Sequence, residues 1–261
     1  MEEQLRNDRI TLLSPPADVD MADAWYDIAS LDHFWIKARF DAAMRASVVN
    51  GLKNARLLEI GCGHGLVMQQ FETLDNVTVD GCDLNMFALR KVGRVKGDLY
   101  SLNIFENPKQ LLNRYDGILL MDVIEHIDDD VGFVRESCKY LTHNGLVIVN
   151  VPALNSLFSK YDLMAGHKRR YTKGMMEEVF AKNGIEKLSI EYWGLFMIPI
   201  AFVRKLLLNV TPKEKTISLG FAPPGPFSNW FLSKLNKLEN WLMRSPIAGT
   251  SVIAVGRLKA Q

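Results

Sequence analysis

Leu57-Leu58-Glu59-Ile60-Gly61-Cys62-Gly63-His64-Gly65 passes from an apolar stretch through an acid into three glycines at alternate positions. Leu66 to Leu74 follows at helical spacing. The pattern predicts a buried strand that leaves its sheet at Glu59, turns tightly, and starts a helix near Gly65. Glycine belongs in such a turn because a side chain would keep a ligand from lying against the backbone. Exposed N–H groups at the helix start add a polar cradle.

The spacing narrows the ligand. A dinucleotide fingerprint places two residues before its third glycine, whereas here the pattern is G-x-G-x-G. No Lys-Ser/Thr pair follows, so the turn is not a phosphate-cradling P-loop. Downstream, Val77 to Asp83 reads as a second strand ending in an acid. Asp83 stands roughly 20 residues past the glycines, where a carboxylate can accept the hydroxyls of a ribose. Asp80 is the competing acid, but it sits in mid-strand; for Asp83 the plain alternative is a helix cap.

Taken together, E-x-G-x-G-x-G between strand and helix resembles motif I of the class I S-adenosylmethionine-dependent methyltransferases. The resemblance implies a Rossmann-like α/β fold, a seven-stranded sheet with helices on both faces. It also implies S-adenosylmethionine as cofactor and S-adenosylhomocysteine as product. Glu59, Gly61, Cys62, Gly63 and Gly65 would pass under the methionine end, with Asp83 and Leu84 at the ribose. Val92 to Asp98 reads as a third strand, and the resemblance puts Asp98 at the adenine amino group and Leu99 beside the ring. The apolar run Tyr115 to Met121 ends at Asp122-Val123-Ile124-Glu125-His126, and its exit is expected at the ligand edge, with Asp122 near the cofactor.

Two further stretches resemble the type 11/12, ubiquinone-biosynthesis-like group of that family. One is His33-Phe34-Trp35 with Ala38-Arg39-Phe40; the other is Pro152-Ala153, Asp162 and Gly166-His167-Lys168-Arg169-Arg170-Tyr171, and Glu239 belongs to the same pattern. His33, Trp35 and Arg39 are therefore expected near cofactor or substrate, on a helical lid; the plainer reading is a packed aromatic face. Arg169, Arg170 and Tyr171 are expected to bind substrate, the arginines pairing with a carboxylate or phosphate; the plainer reading is a solvated basic loop.

The organisation expected is an arm and lid over 1–50 and a methyltransferase domain over 51–261. Within the latter lie a substrate loop at 153–171 and a helical insert at 195–249, which separates the last two strands by about 55 residues, beyond an ordinary connection. Residues 1–18 are polar and read as a loose arm. The 195–208 stretch has an apolar face with basic residues at its rim. It reads as a cap, a dimer face, or a peripheral membrane contact.

Composition sets outer bounds. The 261 residues are 48% hydrophobic and 23% charged, as in a globular protein with a real core. A formal net charge of +1 argues against nucleic acid as partner. Three cysteines without C-x-x-C spacing, and no signal-like N-terminus, point to the cytoplasm. No apolar run reaches the roughly 18–20 residues a membrane span needs.

Methyl transfer from a sulfonium requires in-line approach, exclusion of water and a deprotonated acceptor. A hydroxyl acceptor benefits from a base, and His126 and His167 are the candidates, with His33 behind them. The expected activity is O-methylation of a small or lipid-linked acceptor by a monomer or homodimer. N- or C-methylation of a soluble metabolite, or cofactor binding without transfer, are the alternatives. Asp122, Glu125, His126 and His167 also offer oxygen and nitrogen ligands suited to a divalent ion. Relatives that hold one use E-x-x-E-H, from which Asp122 departs, so no metal is expected.

Overall fold

The computed structural model describes residues 9–17, 26, 29–212, 216 and 225–259. Trp25 of the aromatic N-terminal stretch and most of the Pro-rich turn at 221–226 lie outside them.

Strands β1 (Ile10–Leu12), β2 (Arg56–Ile60), β3 (Thr78–Asp83), β4 (Leu99–Ser101), β5 (Tyr115–Met121), β6 (Leu141–Pro152), β7 (Ile185–Trp193) and β8 (Ser251–Leu258) form one sheet. Its order is β1-β4-β3-β2-β5-β6-β8-β7. The pairings from β1 through β6 are parallel, and β8 runs antiparallel to both β6 and β7. This is the α/β sheet the sequence predicts, with eight strands rather than seven. The extra strand comes from the arm: Ile10–Leu12 pairs with β4, so residues 9–17 are not loose.

Side-chain alternation along β5 builds two cores. Ile118 and Leu120 face one layer, with Phe133, Val134, Val179 and Phe180 from α5 (Asp130–Cys138) and α7 (Lys173–Lys182). Leu119 and Met121 face the other, with Ala42 of α1 (Phe34–Met44), Val49 of α2 (Ser47–Asn50), Phe71 of α3 (Leu66–Phe71) and Leu89 of α4 (Met86–Arg90). Residues 118–120 are fully buried, which explains why the strand reads as an unbroken apolar run. Truncating one of them to Ala would cost about 2–5 kcal/mol.

The amino edge of the sheet is closed by charge. Arg56, first in β2, makes a two-pronged pair with the fully buried Asp80 (3.0 and 2.8 Å), which also accepts the Tyr115 hydroxyl at 2.9 Å. Asp80 is thereby a structural acid. The carboxyl edge is left for the site. It is overhung by α6 (Lys160–Met164) and by two helices between β7 and β8, α8 (Ile198–Asn209) and α9 (Pro226–Leu242).

Candidate active site

At the carboxyl end of β2 the chain turns on glycines in the left-handed region, φ +74° at Gly61 and +53° at Gly63. A Cβ on Gly61 would come within 2.8 Å of Val123, and one on Gly63 within 2.9 Å of the Tyr26 ring. The turn is thus held in a conformation, and at a packing distance, that only glycine meets. Gly65, also at positive φ, starts α3. Glu59 accepts the Met68 N–H at 3.1 Å, tying strand to helix. Burial pushes its carboxyl up to about 8 against the opposing charge of Arg39. Cys62 is a buried thiol whose ionisation burial pushes far upward, so it packs rather than reacts.

Asp83 closes β3 at the same edge. Its carboxylate accepts the N–H of Gly63 at 2.8 Å and of Asn85 at 2.9 Å. Burial raises its pKa and the backbone donors, Asn85 first, oppose that. Leu84 follows, and its carbonyl accepts the N–H of Ala17 from the N-terminal segment.

A cavity of about 360 Å³ opens beside the turn. Its walls are Glu59 and Gly61 to His64; His33, Trp35 and Arg39; Asp122, Glu125 and His126 at the exit of β5; Tyr161, His167 and Arg170; and Ile200, Arg204 and Leu232 from α8 and α9. His33 caps α1 by accepting the Trp35 N–H at 3.2 Å, and burial pushes its imidazole down to about 4. The Trp35 ring carries the Arg39 guanidinium 4.9 Å from its centroid. Arg39 in turn donates to Asp122 at 2.6 Å. Asp122 is a non-glycine residue at φ +64°, held there by Arg39 and by the Asn150 amide at 2.7 Å. Asn150 itself accepts the Trp193 indole N–H at 2.9 Å.

A polar corner lies opposite the glycine turn. His167 Nδ1 is 2.9 Å from Asp162, a fully buried carboxylate that also receives Arg170 and both the N–H and hydroxyl of Ser159. The His126 and His167 rings meet edge to face, 4.8 Å between centroids. Burial, helped by the neighbouring His167, pushes His126 down to about 4. Glu125 is fully buried, and its carboxyl is pushed up by burial and by Asp122. Among the described residues, neither of its oxygens, nor His126 Nε2, has a hydrogen-bond partner. Atoms of Glu125, His126 and His167 that can bind a cation lie within 4.8 Å of one another.

The structure thus brings together the glycine turn, Asp122, the two histidines, Arg170 and the His33-Trp35-Arg39 group. Gly65, Asp83 and Leu84 adjoin the turn without lining the cavity, and four other expected residues lie away from it. Asp98 precedes β4 at the amino edge, where it is largely exposed and pairs with Arg56 at 2.8 Å. Leu99 is buried in the core beneath α3 and α4. Neither can flank an adenine at the opposite edge. Arg169 pairs with Asp130 at 3.0 Å, and the fully buried Tyr171 hydroxyl donates to the same acid at 2.7 Å. Both fasten the loop to the start of α5 instead of binding a substrate. Arg170 is itself engaged with Asp162 and the Ala153 carbonyl, so it braces the wall more than it offers an open clamp.

Sequence reading missed Asp162 as the partner of His167, and missed Asn150 and Trp193 behind Asp122. Asp162 carried a signal, since it stands in the same segment as His167; the Trp193–Asn150 pair joins two strands and leaves no local trace.

The profile of the methyltransferase domain family matches residues 29–190. A ubiquinone biosynthesis O-methyltransferase from Pelagibacter ubique is 32% identical over 114 residues, 42% of this chain and 46% of that protein. The chain spans about half the length of the curated relatives it matches. Among solved structures, an S-adenosylmethionine-dependent methyltransferase from Archaeoglobus fulgidus superposes with a TM-score of 0.51 at 16% identity, covering 85% of this chain and 93% of its own. Phosphoethanolamine N-methyltransferase 2 from Haemonchus contortus, solved with S-adenosyl-L-methionine, gives 0.52 at 19% identity, covering 85% and 52%. At such identities these two structures speak for the fold alone.

Proposed function

We propose that this chain, which belongs to the methyltransferase domain family, takes S-adenosylmethionine and methylates a hydroxyl oxygen of a small or lipid-linked acceptor with His167 as the base. The observation that carries the reading is the His167–Asp162 pair on the cavity wall. A carboxylate at Nδ1 fixes the tautomer with Nε2 unprotonated and steadies the imidazolium that forms. His126, whose imidazole burial pushes down to about 4, serves to orient.

Glu59 and Gly61 to Gly63 would hold the cofactor's methionine end, and Asp83, beside the turn, would accept the ribose hydroxyls. When bound, the cofactor supplies a methyl carbon activated by a positive sulfur. The acceptor O–H points into the corner of Glu125, His126 and His167. Its proton passes to His167 Nε2 as the oxygen lone pair forms the new C–O bond. The C–S electron pair stays on sulfur, leaving neutral S-adenosylhomocysteine. The Pelagibacter relative, an O-methyltransferase by name, supports oxygen over nitrogen.

His167→Gln tests the role. The rate of transfer should fall about 10²–10⁴-fold, with cofactor affinity kept. An unchanged rate would remove His167 as base.

A further inference from the structure

Helices α8 and α9 are amphipathic with their apolar sides outward. On α8, Phe202, Val203, Leu206 and Leu207, with Val210 just past its end, recur at helical spacing and are all exposed, Leu206 by 67% and Val210 by 85%. On α9, Phe227, Trp230, Phe231, Leu238, Trp241 and Leu242 do the same, Trp241 by 79%. The buried residues of α9, Asn236 and Glu239, are polar. Glu239 is buried and accepts the N–H of Gly194 at 2.8 Å and of Phe196 at 2.8 Å. Asn229 accepts the Phe34 N–H at 2.8 Å. Hydrogen bonds to the body therefore fix which side points out. An exposed apolar surface of this extent marks an interaction site.

Charge selects the occupant. Among the described residues of 195–249, Arg204, Lys205, Lys234, Lys237 and Arg244 are basic and the one acid, Glu239, is buried. Lys234, Lys237 and Arg244 are exposed beside the apolar residues. Two copies of this face would bring like charges together, whereas an anionic lipid surface complements it. The aromatic, aliphatic and basic mixture is that of a helix lying in a membrane interface. No described helix is long and apolar enough to cross a membrane. The face also reaches the site: Ile200 is 42% exposed and lines the cavity, as do Ala201 and Arg204 of α8 and Leu232 of α9.

We propose that α8 and α9 dock the protein on an anionic lipid surface, so that the cavity opens toward the membrane. This surface stands apart from the choice of acceptor atom.

The test is co-sedimentation of the full chain with vesicles of phosphatidylcholine alone and of phosphatidylcholine mixed with phosphatidylglycerol. Binding to the mixed vesicles should exceed binding to the neutral ones at least tenfold. It should fall tenfold or more in Leu206→Asp/Leu207→Asp and in Lys234→Glu/Lys237→Glu. Cofactor binding and thermal unfolding report that each variant is folded, and the lysine pair keeps the test open should the leucine pair not fold. Equal binding to the two vesicles, or to neither, overturns the proposal. So does a dimer in lipid-free sedimentation that Leu206→Asp/Leu207→Asp dissociates, since a second copy would then be the occupant.

Discussion

His167 and Asp162 are joined at 2.9 Å, Nδ1 to Oδ1, with the carboxylate wholly inside the protein. Burial alone would raise the Asp162 pKa. The hydrogen bond from His167 and the charge of Arg170 outweigh it and hold the acid at about 2. A depressed acid of this kind stabilises the fold above its unfolded pKa, and that contribution is lost as pH falls toward about 2. Asp162→Asn should leave Arg170 buried without its counter-charge, at a cost of about 3–5 kcal/mol. It should also release the His167 tautomer and lower the transfer rate about 10²–10⁴-fold. Urea unfolding and single-turnover rates check the two effects separately.

His33 and His126 are both pushed down to about 4, chiefly by burial. Above their unfolded value of about 6.5 neither state takes up a proton and neither residue adds a pH dependence. Between about 6.5 and 4 the unfolded chain binds protons the folded chain refuses, so stability falls as pH falls. Each histidine should contribute on the order of 2 kcal/mol to that slope. Thermal unfolding followed from neutral pH to pH about 5 should show it, and His33→Gln should flatten it. An equal slope in that variant would mean that another group titrates.

Arg39 and Asp122 meet at 2.6 Å on the cavity wall, with the arginine side chain almost wholly buried. Arg39→Met should strand the Asp122 carboxylate with only the Asn150 amide and release the residue from its left-handed conformation. A loss of about 3 kcal/mol is expected, along with weaker cofactor binding. Denaturant unfolding and calorimetric titration with S-adenosylhomocysteine measure both.

Asp83→Ala removes the acceptor assigned to the ribose hydroxyls. Two hydrogen bonds to a charged group, at about 1.5–3 kcal/mol each, place the expected loss of cofactor affinity at a hundredfold or more. Affinity at the wild-type level would mean that the ribose binds elsewhere.

Chelation is expected to leave the transfer rate unchanged. Methyl transfer from a sulfonium needs no Lewis acid. A rate lost in chelator and restored by magnesium or manganese would instead make Glu125, His126 and His167 the ligands of an ion.

Much of this was legible in the sequence. The glycine turn, the acid ending β3 and the apolar run of β5 are local patterns, and each carries its own backbone demand. Asp98 was misplaced because Val92 and Val95 imitate a strand. In fact both pack on the core, while the N–H groups of Lys96 and Gly97 are taken by Glu72, 24 and 25 positions earlier. The run 167–171 misled because a basic cluster does not reveal which members turn inward. The bridge between Ala153 and Tyr171 sets that register, sending Tyr171 and Arg169 to Asp130 and leaving His167 and Arg170 on the cavity. The strand Ile10–Leu12 is three residues long and has no periodicity of its own to read.

The central claim, transfer to oxygen with His167 as base, is tested most directly with S-adenosylmethionine carrying a ¹³C methyl group. The cofactor is supplied with a cell extract, the labelled product is isolated, and Asp83→Ala serves as the blank. A methoxy carbon is expected in the product spectrum, strongly reduced when His167→Gln replaces the wild type. A label on nitrogen or carbon, or equal labelling by His167→Gln, would contradict it.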